Sequence, residues 1–216
     1  MTEASQPAES REASRLLADE VVTDRDSYSI LSSRIVFEGR IVSVRQDEVQ
    51  MSDSSTGRRD VVVHPGAVGV IALDEQDRVV MIRQFRHPVR SYLWEVPAGL
   101  KDVADEPLVE TARRELLEEA GIVASRWDRL LDLYASPGGS SEEVTIFLAR
   151  ELSLAERPAD FALSAEELDL EVCRVPLADA LIAVQQGRVR NSLAVAGVLA
   201  TVLAREANWQ GLRPAG

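Results

Sequence analysis

The apolar pattern of this chain changes period in a fixed order, and that order limits the fold more than any other feature. From Ser33 onward, short β-type runs come first: Arg34–Phe37, Ile41–Arg45, Glu48–Met51 and Arg59–Val63. Gly39 and the turn-like stretch Ser52–Gly57 separate them. Two longer apolar runs follow, Ala67–Leu73 and Arg78–Arg86, joined by the acidic turn Asp74–Asp77, which predicts a central hairpin. A helix is expected over Pro107–Ala120, with Pro107 at its first position, Asp105 or Glu106 capping it, and Gly121 just past its end. Strands are expected at Trp127–Ala135, Val144–Ala149 and Leu168–Val175, then helices at Pro176–Gln186 and Asn191–Ala207. Strands, one helix, strands, then helices is an α+β order and not a regular βαβ repeat.

Composition narrows the function before any motif is read. The chain has 216 residues and a formal net charge of −12, a balance that repels nucleic-acid phosphates and anionic lipid. No nucleic-acid partner and no membrane attachment are expected. The longest apolar stretch, Leu193–Ala204, is too short to span a bilayer, and the polar, acidic N-terminus does not resemble a secretory leader. A cytoplasmic protein is the expectation. The single cysteine, Cys173, excludes an internal disulfide framework and a Cys-rich zinc site, and two histidines make a His-ligated metal improbable. Any metal must be held by oxygen, which points to magnesium, manganese or calcium.

The chemistry concentrates between Gly99 and Ile122. Glu115, Glu118 and Glu119 fall at i, i+3 and i+4 on the expected helix, so their carboxylates share a face. Like charges at that spacing destabilise a helix unless a cation neutralises them, which suggests a divalent-metal seat. Arg114-Glu-Leu-Leu-Glu-Glu-Ala-Gly-Ile122 fills every restricted position of the REUxEExGU element of the Nudix box, where U is a bulky aliphatic residue. The sequence thus resembles the Nudix hydrolases. Upstream it departs from the pattern: six residues, not five, separate Gly99 from Glu106. Either Glu106 serves as the loop acid beyond a one-residue insertion, or Asp105 takes that place at the usual distance from Gly99.

The resemblance implies a mixed β-sheet core sandwiched between helices, preceded by a small N-terminal antiparallel sheet. It implies a magnesium cofactor, with manganese as the alternative, held by Glu115 and Glu119, with Glu118 as ligand or neighbour and the Ala98 carbonyl within reach. Gly99, Glu106, Arg114 and Gly121 would be structural members of the box, Arg114 orienting Glu106. Gln84-Phe-Arg86 and Trp94–Gly99 resemble the approach to the box in ADP-ribose and nucleoside-diphosphate-sugar pyrophosphatases, and Arg86 is then a phosphate clamp. Tyr134–Glu143 resembles their downstream signature, with Pro137 sixteen residues after Gly121 and Gly138 beside it. The catalytic base in such enzymes comes from a Glu-rich loop after the box; Ser164–Asp169 matches it, Glu167 being the first choice and Glu166 the second.

Residues 1–27, rich in Ser, Ala, Glu and Asp, read as a mobile N-terminal arm, and with 208–216 as a tail they lie outside the resemblance, which divides the rest into a dimer-forming β subdomain (28–65) and the hydrolase domain (66–207). Within the subdomain, Phe37, Arg45, Arg58 and Arg59 are candidates for purine or phosphate contacts, with Arg59 and Phe37 carried forward as substrate-binding residues. The implied activity is magnesium-dependent cleavage of ADP-ribose into AMP and ribose 5-phosphate by a homodimer. The alternatives are another sugar nucleotide as substrate, or a non-catalytic ADP-ribose sensor, which would be expected to carry a degraded box and a basic DNA-reading module. The charge supports the metal seat: residues 99–172 hold 7 basic and 18 acidic side chains, most of the acidic excess.

Overall fold

The computed structural model describes residues 28–157 and 170–216. Three strands, β1 (Ile30–Glu38), β2 (Ser43–Gln50) and β3 (Thr56–Val63), form an antiparallel sheet in chain order. The runs Ile41–Arg45 and Glu48–Met51 merge into the single strand β2. The other strands build two sheets. In one, β5 (Arg78–Arg86) lies between β10 (Glu171–Pro176) and β6 (Ser91–Glu95). In the other the order is β11 (Arg213–Pro214), β8 (Ile122–Tyr134), β9 (Glu143–Leu154), β4 (Ala67–Ala72) and β7 (Ala98–Leu100). Its β4–β9 ladder is parallel and its other pairs are antiparallel, so the sheet is mixed.

The expected central hairpin does not form. The Asp74–Asp77 turn exists, closed by Asp74 N–H to the Arg78 carbonyl at 3.0 Å, but only Leu73 and Val79 bridge across it. Beyond that point β4 and β5 part into different sheets. The reason lies in β4 itself: all six of its residues are buried, so both of its faces must be covered and both of its edges paired. Strands β9 and β7 take those edges.

Val68, Val70 and Ala72 face one way, onto Ala112 and Leu116 of α1 (Leu108–Ala120). Ala67 and Ile71 face the other, onto Leu193, Ala194 and Val198 of α3 (Ser192–Glu206), with α2 (Leu177–Gln185) beside it. The sheet therefore sits between helices. Close approach on the α3 side demands small residues: a Cβ at Gly197 would lie 2.7 Å from Ile71 Cδ1. Segment 208–216 folds back, with Arg213 bonded to Asp132 at 2.8 Å and Ala215 packed beside α1. Among the described residues no helix is long and apolar enough to cross a membrane.

The β4–β5 turn is held by Asp74, whose carboxylate accepts from the backbone N–H groups of Gln76 and Arg78 and from the Arg78 guanidinium, at 2.8–3.0 Å. Burial works to raise its pKa, but these donors outweigh it and hold the carboxyl below its ordinary value. Its stabilising effect is therefore complete above the unfolded pKa of about 4 and lost as pH falls below it. Asp74→Asn should cost about 1–2 kcal/mol at pH 7, and the two proteins should converge in urea midpoint as pH falls from 7 through the lowered carboxyl pKa. A constant difference across that range would refute the linkage.

Candidate active site

The site is assembled where α1 lies against β7. Helix α1 begins after Pro107, whose carbonyl accepts from Glu110 N–H at 2.8 Å, and ends at Gly121, whose φ of 64° allows its N–H to reach the Leu117 carbonyl at 2.9 Å. Neither Asp105 nor Glu106 caps the helix backbone. Glu106 instead accepts from the Thr111 hydroxyl at 2.7 Å and lies 3.6 Å from the Arg114 guanidinium. Of the two loop acids, Glu106 is the one that faces Arg114. Asp105 adopts a left-handed φ of 61° in the turn before it, where the longer loop is accommodated.

The helix carboxylates stand close to the strand. Glu119 is only 6% exposed, and its Oε2 accepts the Ala98 N–H at 2.9 Å, tying the helix to β7. Glu115 presses against Gly99 so closely that a Cβ there would sit 2.1 Å from its carboxylate carbon. Any larger residue at 99 would have to push the Glu115 carboxylate aside. Arg114 Nη1 bonds Glu115 at 2.7 Å and reaches Glu118 at 3.3 Å, and its Nη2 lies 3.8 Å from Asp102. One guanidinium thus serves four acids.

The electrostatics follow from that crowding. Burial pushes the Glu115 carboxyl up, to about 7, against the pull of Arg114, and the Glu118 and Asp102 charges add to the rise. Burial acts to lower the Arg114 pKa, but the surrounding Glu115, Glu118 and Glu106 keep it above the usual arginine value. Such a cluster fits a hard divalent cation, since buried oxygen donors carry more negative charge than one arginine can offset. As they stand, no three His, Cys, Asp or Glu side chains among the described residues form a group that could hold an ion. Arg114 occupies the space between Glu115 and Glu118, and Glu119 is turned to Ala98.

Beside the cluster opens a cavity of about 550 Å³, lined by Ala98, Gly99, Arg86, Glu95, His64 and Glu142 among others. Its volume suits a small-molecule ligand. Arg86 lies at the end of β5 and its guanidinium clasps Glu95, with Nε 3.0 Å and Nη2 2.7 Å from the two carboxylate oxygens. Glu95 is 1% exposed, so this ion pair fixes the plane of the guanidinium at the cavity wall. Pro137 and Gly138 lie at the exposed tip of the loop after β8, and the loop lines the cavity through its ends, Ala135 and Glu142. Phe37 and Arg59 belong to the N-terminal sheet and do not line this cavity. Phe37 is exposed, and Arg59 bonds the Arg58 carbonyl at 2.9 Å. Glu166 and Glu167 lie outside the described residues.

Three titratable cavity residues carry no assignment from the sequence: Glu95, Glu142 and His64. Glu95 left a legible signal, an acid inside the apolar run Leu93-Trp-Glu-Val96 and opposite the strand that bears Arg86. His64 and Glu142 come from separate loops that only the fold brings together.

A mixed sheet between helices, with a box helix laying glutamates against a glycine strand beside a cavity of small-molecule size, defines a class of Nudix-type architecture. The NUDIX domain matches residues 63–194, and the chain belongs to the Nudix family. It is 42% identical over 173 residues to the ADP-ribose pyrophosphatase of Mycobacterium tuberculosis, covering 80% of this chain and 82% of that one. It is 36% identical over 154 residues to the ADP-ribose pyrophosphatase of Bacillus subtilis, covering 71% and 81%. In fold it matches a crystal structure of an ADP compounds hydrolase with a TM-score of 0.73 at 22% identity, covering 87% of this chain and all of that one.

Gly99→Ala should displace Glu115 while leaving the sheet and helices intact. Calorimetric titration with Mn²⁺ should show affinity weakened by about 10–100-fold, with an unchanged far-ultraviolet circular dichroism spectrum. Unaltered affinity would mean that Glu115 does not bind the ion.

Proposed function

We propose that this protein hydrolyses the diphosphate bond of ADP-ribose, releasing AMP and ribose 5-phosphate, with magnesium as its cation. The observation that carries the reading is the intact glutamate face of α1 packed on Gly99 beside the cavity that holds Arg86. Two ADP-ribose pyrophosphatases similar over most of their length support the choice of substrate.

Glu115 and Glu119, with Glu118 beside them and the Ala98 carbonyl in reach, would hold the cation, manganese being able to replace magnesium. The bound ion supplies neutralisation of the diphosphate and polarisation of a phosphoryl oxygen. The chain's own residues do the rest. Arg86, held in plane by Glu95, binds a phosphate oxygen. Arg114 keeps Glu106 and the helix carboxylates in place, and a cation held by Glu115 and Glu118 would have to replace its bonds to them. Glu167, or Glu166 in its stead, takes a proton from the attacking water. The Ala135–Glu142 loop, with Pro137 and Gly138 at its tip, borders the sugar.

The reading extends to assembly and place. We take residues 28–65 as a dimer-forming subdomain ahead of the hydrolase domain, 66–207, with 1–27 an arm and 208–216 a tail. All nine residues of β1 are exposed, including Ile30, Leu31, Ile35, Val36 and Phe37, more apolar surface than one strand normally leaves in water. A second copy of the chain would cover it and bring Phe37 and Arg59 to the purine of the substrate. An acidic chain with one cysteine suits the cytoplasm.

With magnesium, the purified protein should release AMP from ADP-ribose, and a panel of nucleoside-diphosphate sugars read by mass spectrometry should rank ADP-ribose first. Glu115→Gln and Glu119→Gln should each lower turnover by about two to three orders of magnitude with the fold retained. Full activity in both would sink the metal assignment. Glu167→Gln should lower kcat by about 10²–10⁴ with little change in KM; unchanged turnover would move the base to Glu166 or elsewhere.

A further inference from the structure

His64 occupies the turn between β3 and β4, and three contacts fix that turn. Its backbone N–H donates to the Ser141 hydroxyl at 3.1 Å, while Val62 exchanges backbone hydrogen bonds with the same loop, at 2.8 Å to Gly139 and 3.0 Å to Ser141. Gly66, with φ of 93°, turns its own N–H back onto the His64 ring and accepts from Lys101 N–H at 3.1 Å. A side chain at Gly66 would run into the Glu143 carbonyl at 2.9 Å, so this reversal needs glycine.

The ring contact decides the chemistry. The Gly66 N–H donates to His64 Nδ1 at 3.0 Å. A nitrogen that accepts an amide proton cannot carry one, so the neutral imidazole must hold its hydrogen on Nε2. Nε2 has no partner among the described residues. The side chain is only 15% exposed and lines the same cavity as Arg86, Gly99 and Glu142. The fold therefore uses two loops and a glycine to orient the N–H donor of one residue of the cavity wall.

We propose that His64, through Nε2–H, donates a hydrogen bond to an oxygen of the bound nucleoside-diphosphate sugar and is a substrate-binding residue of this site. The acceptor is a phosphoryl oxygen or a sugar hydroxyl facing the β3–β4 turn. The inference rests on the reading of this cavity as the nucleotide-sugar site. Because the contact is made equally in the ground and transition states, its loss raises KM more than it lowers kcat.

Two amides separate this role from a structural one. Asparagine places its oxygen near the position of Nδ1 and can keep the Gly66 bond, but it has no donor at Nε2. Glutamine reaches the Nε2 position with an N–H donor and gives up the Gly66 bond. With the full-length chain, magnesium and ADP-ribose, His64→Asn should keep the wild-type thermal midpoint and lose about 10–100-fold in kcat/KM, mostly through KM. His64→Gln should unfold at lower temperature yet recover most of that kcat/KM. Stability and activity would thus rank the two variants in opposite orders. The same order in both assays, or an Asn variant as active as wild type, overturns the proposal.

If the wild type fails on ADP-ribose but cleaves another nucleoside-diphosphate sugar, the substrate reading falls, and the same two variants are measured on that compound. If it cleaves none, calorimetry with ADP-ribose and magnesium replaces turnover, and absence of binding to the wild type overturns the role of His64 as well.

Discussion

Everything at the candidate site depends on burying carboxylates against a strand that has no side chain to yield. Glu115 lies where any Cβ at Gly99 would stand, and Glu119 accepts the Ala98 N–H from the same strand. These contacts fix the helix relative to β7 at the cost of crowding like charges in a half-buried place. Arg114 relieves the crowding only in part. The raised Glu115 carboxyl is the measure of what remains, and a second cation is the direct physical remedy. The box motif is thus a packing motif as much as a chemical one: without the glycine the carboxylates could not be buried, and without burial their demand for a cation would be weak.

The strand that carries this arrangement is itself held by β4, and β4 shows where reading from sequence succeeds and fails. Its uninterrupted apolar run marks a strand, and in the fold that strand is buried along its whole length. The hairpin with β5 failed because adjacency along the chain and a good turn said nothing about which edges β4 would offer. A strand covered on both faces pairs with whatever shares its core, and that is β9, which sets Ala67 opposite Val144. The helices were legible to within a residue or two, since their 3.6 periodicity, Pro107, Gly121 and the Asn191 cap are local signals. Asn191 does cap α3, accepting Ala194 N–H at 3.0 Å.

The site divides along the same line. The glutamates, Gly99 and Arg114 were legible because one helix and its approach contain them all. Arg86 was legible as a strand-end cation, but its clasp on Glu95 was not, because that pairing needs the β5–β6 register. His64 was weighed only as a metal ligand, a role in which one histidine means little. What distinguishes it is a tautomer imposed by Gly66 and a cavity shared with residues as distant as Leu193. No periodicity or motif encodes such a relation.

Charge ties these parts together. Arg86 and Arg114, the cations closest to the carboxylate cluster and the cavity wall, are both committed to acids. Committed arginines orient well but neutralise little, so the cavity with Glu95 and Glu142 in its wall remains unfavourable to a diphosphate. A neutral donor such as His64 Nε2–H can bind an anionic or hydroxyl oxygen without adding a counter-charge that would compete for the glutamates. A lysine in its place would pair with Glu142 and draw charge away from the helix face. The division of labour is then physical in origin: charge neutralisation falls to a cation on α1, and recognition falls to oriented groups that leave the acids free to hold it.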